Sequence, residues 1–76
     1  MPIYYFNLRE GAKFIRDFEG TDLPDLNSAI DEARQAVREI AADQLRSHER
    51  INGRSVEVAD GEGEVLASVS VREVLG

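Results

Sequence analysis

Apolar residues change their spacing twice along this chain. Between residues 3 and 18 they crowd together in IYYFNL and KFIRDF, between 25 and 46 they recur at three- and four-residue steps, and between 55 and 71 they alternate. Steps of three and four mark a helix with one buried stripe, and alternation marks a strand with one buried face. The middle segment, DLNSAIDEARQAVREIAADQLR, therefore predicts one long surface helix. Its stripe is Leu26, Ala29, Ile30, Ala33, Val37, Ile40, Ala41, Gln44 and Leu45, and the alanines let it sit close to whatever lies beneath. Asp25 is the candidate N-cap, with Asn27 as a rival. Asp31 with Arg34, and Asp43 with Arg46, are spaced to pair across one turn. Arg46, His48 and Arg50 fall near the negative pole of the helix, where cations are favoured.

Both flanks read as hairpins. Ile3 to Leu8 is aromatic and β-branched and starts directly after Pro2, as a strand does. Arg9 to Ala12 is a turn in which Gly11 supplies a positive φ, and Lys13 to Phe18 returns. A four-residue turn sets Leu8 opposite Lys13, Phe6 opposite Ile15 and Tyr4 opposite Asp17, so that Tyr4, Phe6, Leu8 and Ile15 form the core side. Glu19 to Pro24 is a connector into the helix. In the second hairpin Val56 and Val58 oppose Glu57, Asp60 to Gly63 turns, and Val65, Ala67, Val69 and Val71 alternate with Leu66, Ser68 and Ser70. Arg72 to Gly76 is either a last helical turn or a frayed end. The expected fold is α+β: a two-layer β-β-α-β-β domain over residues 1–76, with a four-stranded, mostly antiparallel sheet and one long helix on one face. The strand order is two-one-three-four, a parallel join of strands two and three being the alternative.

One helix shields one face of a sheet. With this pairing Ile3, Tyr5, Phe14 and Phe18 fall on the face away from the helix, and Leu66 joins them from the second hairpin. A contiguous apolar patch of that kind marks an interface. The competing arrangement shifts the register by one residue, turning Phe14 and Phe18 inward and Ile15 outward, or folds Val74 and Leu75 of the C-terminal segment over the rings.

Size and charge narrow the partners. A chain of 76 residues buries only about 60% of its unfolded surface, and its stability is on the order of 5 kcal/mol. Domains this small usually rely on a disulfide, a metal or a second subunit. Cysteine is absent, which removes disulfides, thiolate zinc sites and cysteine nucleophiles together and leaves self-association as the first staple to consider. Net charge is −6, with 15 acidic and 9 basic residues, and the arginines are scattered among carboxylates. Phosphate backbones would meet a repulsive field, so no nucleic-acid partner is expected. No apolar run approaches the roughly 20 residues of a membrane span, and no basic-then-apolar leader opens the sequence. A soluble cytoplasmic protein is the expectation.

Chemistry-bearing residues do not converge. Asp17, Glu19, Asp22 and Asp25 gather in the connector without the regular ligand alternation of an EF-hand loop, and capping plus solvated charge accounts for them. A hairpin turn accounts for Asp60, Glu62 and Glu64. His48 stands alone in a polar segment, away from any nucleophile motif around Ser47, Ser55, Ser68 or Ser70. The expectation is no enzyme, no catalytic residue, no metal and no cofactor.

Met1-Pro2-x-Tyr4-Tyr5-Phe6, then Asp17-x-Glu19-Gly20-Thr21-x-Leu23-Pro24-Asp25-Leu26, then Val56-x-Val58-x-Asp60 with Gly63-x-Val65-Leu66 resemble a family of short proteins common in rhizobia and related alphaproteobacteria, domain of unknown function 6894. The resemblance spans nearly the full chain, and the EGT-x-LPDL connector is its most specific part. It implies a bacterial cytoplasmic stand-alone domain with the strand, strand, helix, strand, strand order, and it implies no activity. Relatives often carry His where Asn7 stands and a basic residue where Ile3 stands, so no imidazole role transfers here. The expected function is a small non-enzymatic interaction module, a homo-oligomer or protein-binding domain that uses the open sheet face. The alternative is a small-ligand or cation-binding domain that uses the acidic connector.

Overall fold

Asp25 starts the helix. In the computed structural model, which describes residues 2–47 and 53–75, its carboxylate accepts from the Ser28 amide at 2.8 Å and α1 runs over Leu26–Arg46. Asn27, the rival cap, lies inside the helix. Ala29, Ala33, Val37, Ala41 and Gln44 are buried along one stripe. Three of these are alanines, and the helix lies flat on the valines Val56, Val58 and Val69 beneath it. Arg34 reaches Asp31 at 3.6 Å and Arg46 pairs with Asp43, both on the exposed side. His48 and Arg50 lie outside the described residues.

Five strands form the sheet: β1 (Ile3–Glu10), β2 (Lys13–Ile15), β3 (Thr21–Asp22), β4 (Arg54–Ala59) and β5 (Val65–Ser70). The order is β2-β1-β4-β5 with β3 also on β1, and every pair is antiparallel. The expected order two-one-three-four is therefore present, with no parallel join, and one short strand was not expected. Thr21 and Asp22, assigned to a plain connector, pair with Tyr4 and Ile3, and the Leu23 amide continues the ladder to the Pro2 carbonyl at 3.1 Å.

The first hairpin differs from expectation in register. Glu10 pairs with Lys13 around a two-residue loop, Gly11-Ala12, in which Gly11 takes φ 59°. Leu8 thus meets Ile15 and Arg9 meets Phe14. The pairing moves by two residues, and because side chains alternate with period two, every side chain keeps its expected face. The strand stops at Ile15 rather than Phe18. Ile15 was assigned to the core and is instead 55% exposed, because α1 packs over β4 and β5 and does not reach the β2 edge.

The second hairpin carries a β-bulge. Val58 pairs with Ala67 but Ala59 pairs with Val65, so Leu66 is an extra residue. Val65, expected inward with Ala67 and Val69, is turned to the far face and is 50% exposed. After β5 the chain forms α2 (Val71–Leu75), capped by the Ser70 hydroxyl accepting from the Glu73 amide at 3.1 Å. Val71 is buried and Val74 packs on the same core as α1. The C-terminal segment is a helical turn on the helix side, and it leaves the far face uncovered.

Candidate functional site

Between β2 and β3 the outer edge of β1 loses its partner strand, and a side chain takes the strand's place. The Phe6 amide donates to Asp17 Oδ2 at 3.1 Å, while Asp17 Oδ1 accepts from the amides of Glu19 at 3.1 Å and Gly20 at 3.3 Å. In return the Asp17 amide donates to Asn7 Oδ1 at 2.9 Å. Partial burial works against the charge, but the amides of Phe6, Glu19 and Gly20 outweigh it and hold the Asp17 carboxyl below its ordinary range. This ring of bonds folds the connector back over the sheet. Gly20, at φ 72°, rests on the far-face side chains of β1, where a Cβ would come within 2.5 Å of Ile3 Cγ2 and 2.9 Å of Tyr5 Cε1.

The far face has three rows. Tyr5, Ala59 and Val65 form the first, Asn7, Glu57 and Ser68 the second, and Phe14, Arg9, Ser55 and Ser70 the third. Apolar side chains thus gather at both ends, with a polar row between them. At one end Ile3, Val65 and Leu66 are exposed and Tyr5 is half-covered by the connector. At the other, Phe14 is 46% exposed, with the Arg9 guanidinium 4.8 Å above its ring and bonded to Glu57 at 3.0 Å. Phe18, in the connector, is 82% exposed beneath Arg16 at 5.7 Å. Both cations lie within stacking range of an aromatic face. At about 200 Å² for a whole residue, Phe14 and Phe18 together leave on the order of 250 Å² in water.

Four of the five expected interface residues, Ile3, Phe14, Phe18 and Leu66, are therefore exposed, and Tyr5 is partly so; Phe18, expected on the far face of a strand, lies beyond the end of β2 and is not placed there by the register. The expected single patch is divided by Asn7, Glu57 and Ser68, a break the alternation pattern carries but which a search for apolar residues passes over. Val65 was missed altogether.

A shallow cleft of about 40 Å³, open to solvent, runs between connector and second turn, lined by Tyr5, Asn7 and Ala59 of the sheet, Arg16 and Asp17, and Asp60, Gly61 and Gly63. It is smaller than the roughly 300–1,000 Å³ of small-molecule pockets. Two of the connector carboxylates hold backbone: Asp17 accepts from three amides, and Asp25 caps α1, its carboxyl lowered by the amide and hydroxyl of Ser28. Asp60 likewise accepts from the Glu62 and Glu64 amides at 2.9 Å each. Among the described residues no three His, Asp or Glu converge as a metal site, and no helix is long and apolar enough to cross a membrane.

A small antiparallel sheet with one helical layer and one bare face of mixed apolar and charged residues makes this an α+β domain. The chain belongs to the family described as domain of unknown function (DUF6894), whose model matches residues 3–72. No curated protein and no solved structure matches it.

Proposed function

We propose that this protein is a non-enzymatic interaction module that self-associates through the far face of its sheet, in the cytoplasm of an alphaproteobacterium. The exposure of Phe18 and Phe14 carries the reading. Aromatic rings in water lose the burial that stabilises small domains, and a protein surface recovers it. Guanidinium groups already stacked on both rings suit the same use, since Arg and aromatic residues are the side chains enriched where interfaces concentrate their energy. Apolar ends around a polar middle also form a pattern that a two-fold axis can lay onto a second copy, end against end.

The test is the solution mass of the full chain by light scattering. The wild type is expected to exceed the 8.5 kDa of one chain, and the double variant Phe14→Ser, Phe18→Ser is expected to lose mass with unchanged circular dichroism. Both side chains project into solvent, so their loss leaves the core alone. A mass that does not respond to the double variant contradicts the far face as the contact.

A further inference from the structure

The sheet carries opposite charge at its two ends. Strand residues beside the Gly11-Ala12 loop set the cations Arg9, Lys13 and Arg54 against the carboxylate of Glu10. At the opposite end the connector and the second turn bring Asp17, Glu19, Asp22, Asp60, Glu62 and Glu64 together, with Arg16 as the cation beside them. None of those carboxylates is in an ion pair among the described residues. Tyr5 and Arg9, which mark the two ends on β1, are four residues apart, about 13 Å along a strand. That exceeds the roughly 8 Å over which salt screens a charge. A second copy therefore meets two separate ends and not one net charge of −6.

The register says which ends can meet. Asn7 lies midway between Tyr5 and Arg9, and Glu57 midway between Ala59 and Ser55, in a stretch where β1 and β4 pair without a bulge. A two-fold axis laid in the plane of the far face, across the strands at Asn7 and Glu57, exchanges Tyr5 with Arg9 and Ala59 with Ser55. It sets the cationic end of each copy over the acidic end of the other. An axis along the strands instead sets acid over acid. Arg9 and Asp60 are prepared for the first arrangement. The Arg9 guanidinium is held over Phe14 and by its Nε bond to Glu57, and its terminal nitrogens have no acceptor among the described residues. Asp60 Oδ1 accepts from the Glu62 and Glu64 amides, while Oδ2 has no donor among the described residues. Asp60 lines the same cleft as Tyr5, the residue that Arg9 of a second copy comes to cover. Both groups are ordered before contact, which lowers the entropy cost of joining them.

We infer that the self-association proposed above, on which this inference rests, is antiparallel: a second copy lies on the far face with its strands reversed, and Arg9 of each copy bridges its own Glu57 to Asp60 of the other. Phe14, beside Arg9 in the register, then comes over the connector of the other copy. Apolar burial supplies the contact, and charge chooses its orientation.

Salt tests the sign. By sedimentation of the full chain between about 0.05 and 0.5 M sodium chloride, the wild-type dissociation constant is expected to rise at least about threefold as the attraction of opposite ends is screened. Copies of net charge −6 that met like end to like end would bind more tightly under the same change. Charge reversal tests the place. Arg9→Glu is expected to raise the dissociation constant about tenfold, and so is Glu62→Lys combined with Glu64→Lys, although that pair brings the net charge closer to zero. The three substitutions together are expected to recover most of the loss. Glu62 and Glu64 are exposed and hold the turn through their backbone amides, so their side chains can be exchanged with the fold intact, as unchanged circular dichroism would show. A dissociation constant that stays or falls with salt, or a Glu62→Lys, Glu64→Lys variant that binds more tightly than wild type, overturns the inference. The Phe14→Ser, Phe18→Ser double variant separates that result from failure of the face itself. If its mass falls while the charges act with the wrong sign, the far face stands and the antiparallel orientation is overturned. If its mass does not respond, or the wild type stays at one chain's mass to about millimolar concentration, both are overturned.

Discussion

The two hairpins lie side by side in one sheet and are held in shape by opposite means. In the second, β4 and β5, alternation does nearly everything: Val56, Val58 and Val69 face α1, and the turn is closed by Asp60 and its neighbours alone. In the first, alternation stops at Ile15 and polar geometry takes over, with Asp17 standing in for a strand, Asn7 holding Asp17, and Gly20 pressed on Ile3 and Tyr5. The consequence is an asymmetric molecule. On one edge a side chain takes the place of a strand, and the other edge is an uncharged six-residue strand.

Glycines sharpen this contrast. Gly20→Ala is expected to destabilise the protein by about 3 kcal/mol, since it combines strain at positive φ with a clash against the side chains of Ile3 and Tyr5. Gly63 also has positive φ, 86°, but nothing lies within 4 Å of a Cβ there, so Gly63→Ala is expected to lose only about 1 kcal/mol. Urea unfolding of both variants checks the order. Equal losses would mean that the connector does not press on β1.

Removing the strand substitute comes next in size. Asp17→Ala leaves the part-buried Phe6 amide without its acceptor and is expected to lose about 2 kcal/mol in the same measurement. The effect should depend on pH. Because the folded Asp17 carboxyl titrates below its unfolded value, near 3.9, its contribution is present in full above that pH and is lost as pH falls through the folded value. The gap in Tm between wild type and Asp17→Asn is therefore expected to be widest near neutrality and to close as pH falls through the folded value. A gap that widens on acidification would contradict the sign.

The smallest expected effect is none. Asp17, Asp25 and Asp60 already hold backbone amides, so millimolar calcium or magnesium is expected to leave Tm unmoved, whereas a cation bound to the native state alone would raise it by mass action.

Much of this was legible in the chain. The helix and its Asp25 cap and the face of each β1 side chain follow from local spacing, because period and cap chemistry act within a few residues; the strand order followed only from keeping every pair antiparallel. Three features were not. The turn is two residues long because Gly11 takes a positive φ, a choice the residue permits but does not announce. Asp17 acts on Phe6, eleven positions away, so no local pattern reveals it as more than a solvated acid. The bulge adds one residue to β5, and alternation counted through it placed Val65 on the wrong face. Ile3, Tyr5 and Phe14 were found on the far face by alternation alone, while the division of the face by Asn7, Glu57 and Ser68 required the register.

The most direct test of the account is an isotope-filtered nuclear Overhauser experiment on an equimolar mixture of labelled and unlabelled chains. The far-face reading predicts contacts between copies from the rings of Phe14 and Phe18 to the methyl groups of Ile3, Val65 or Leu66. A concentrated sample in which those rings show contacts only within their own chain would contradict it.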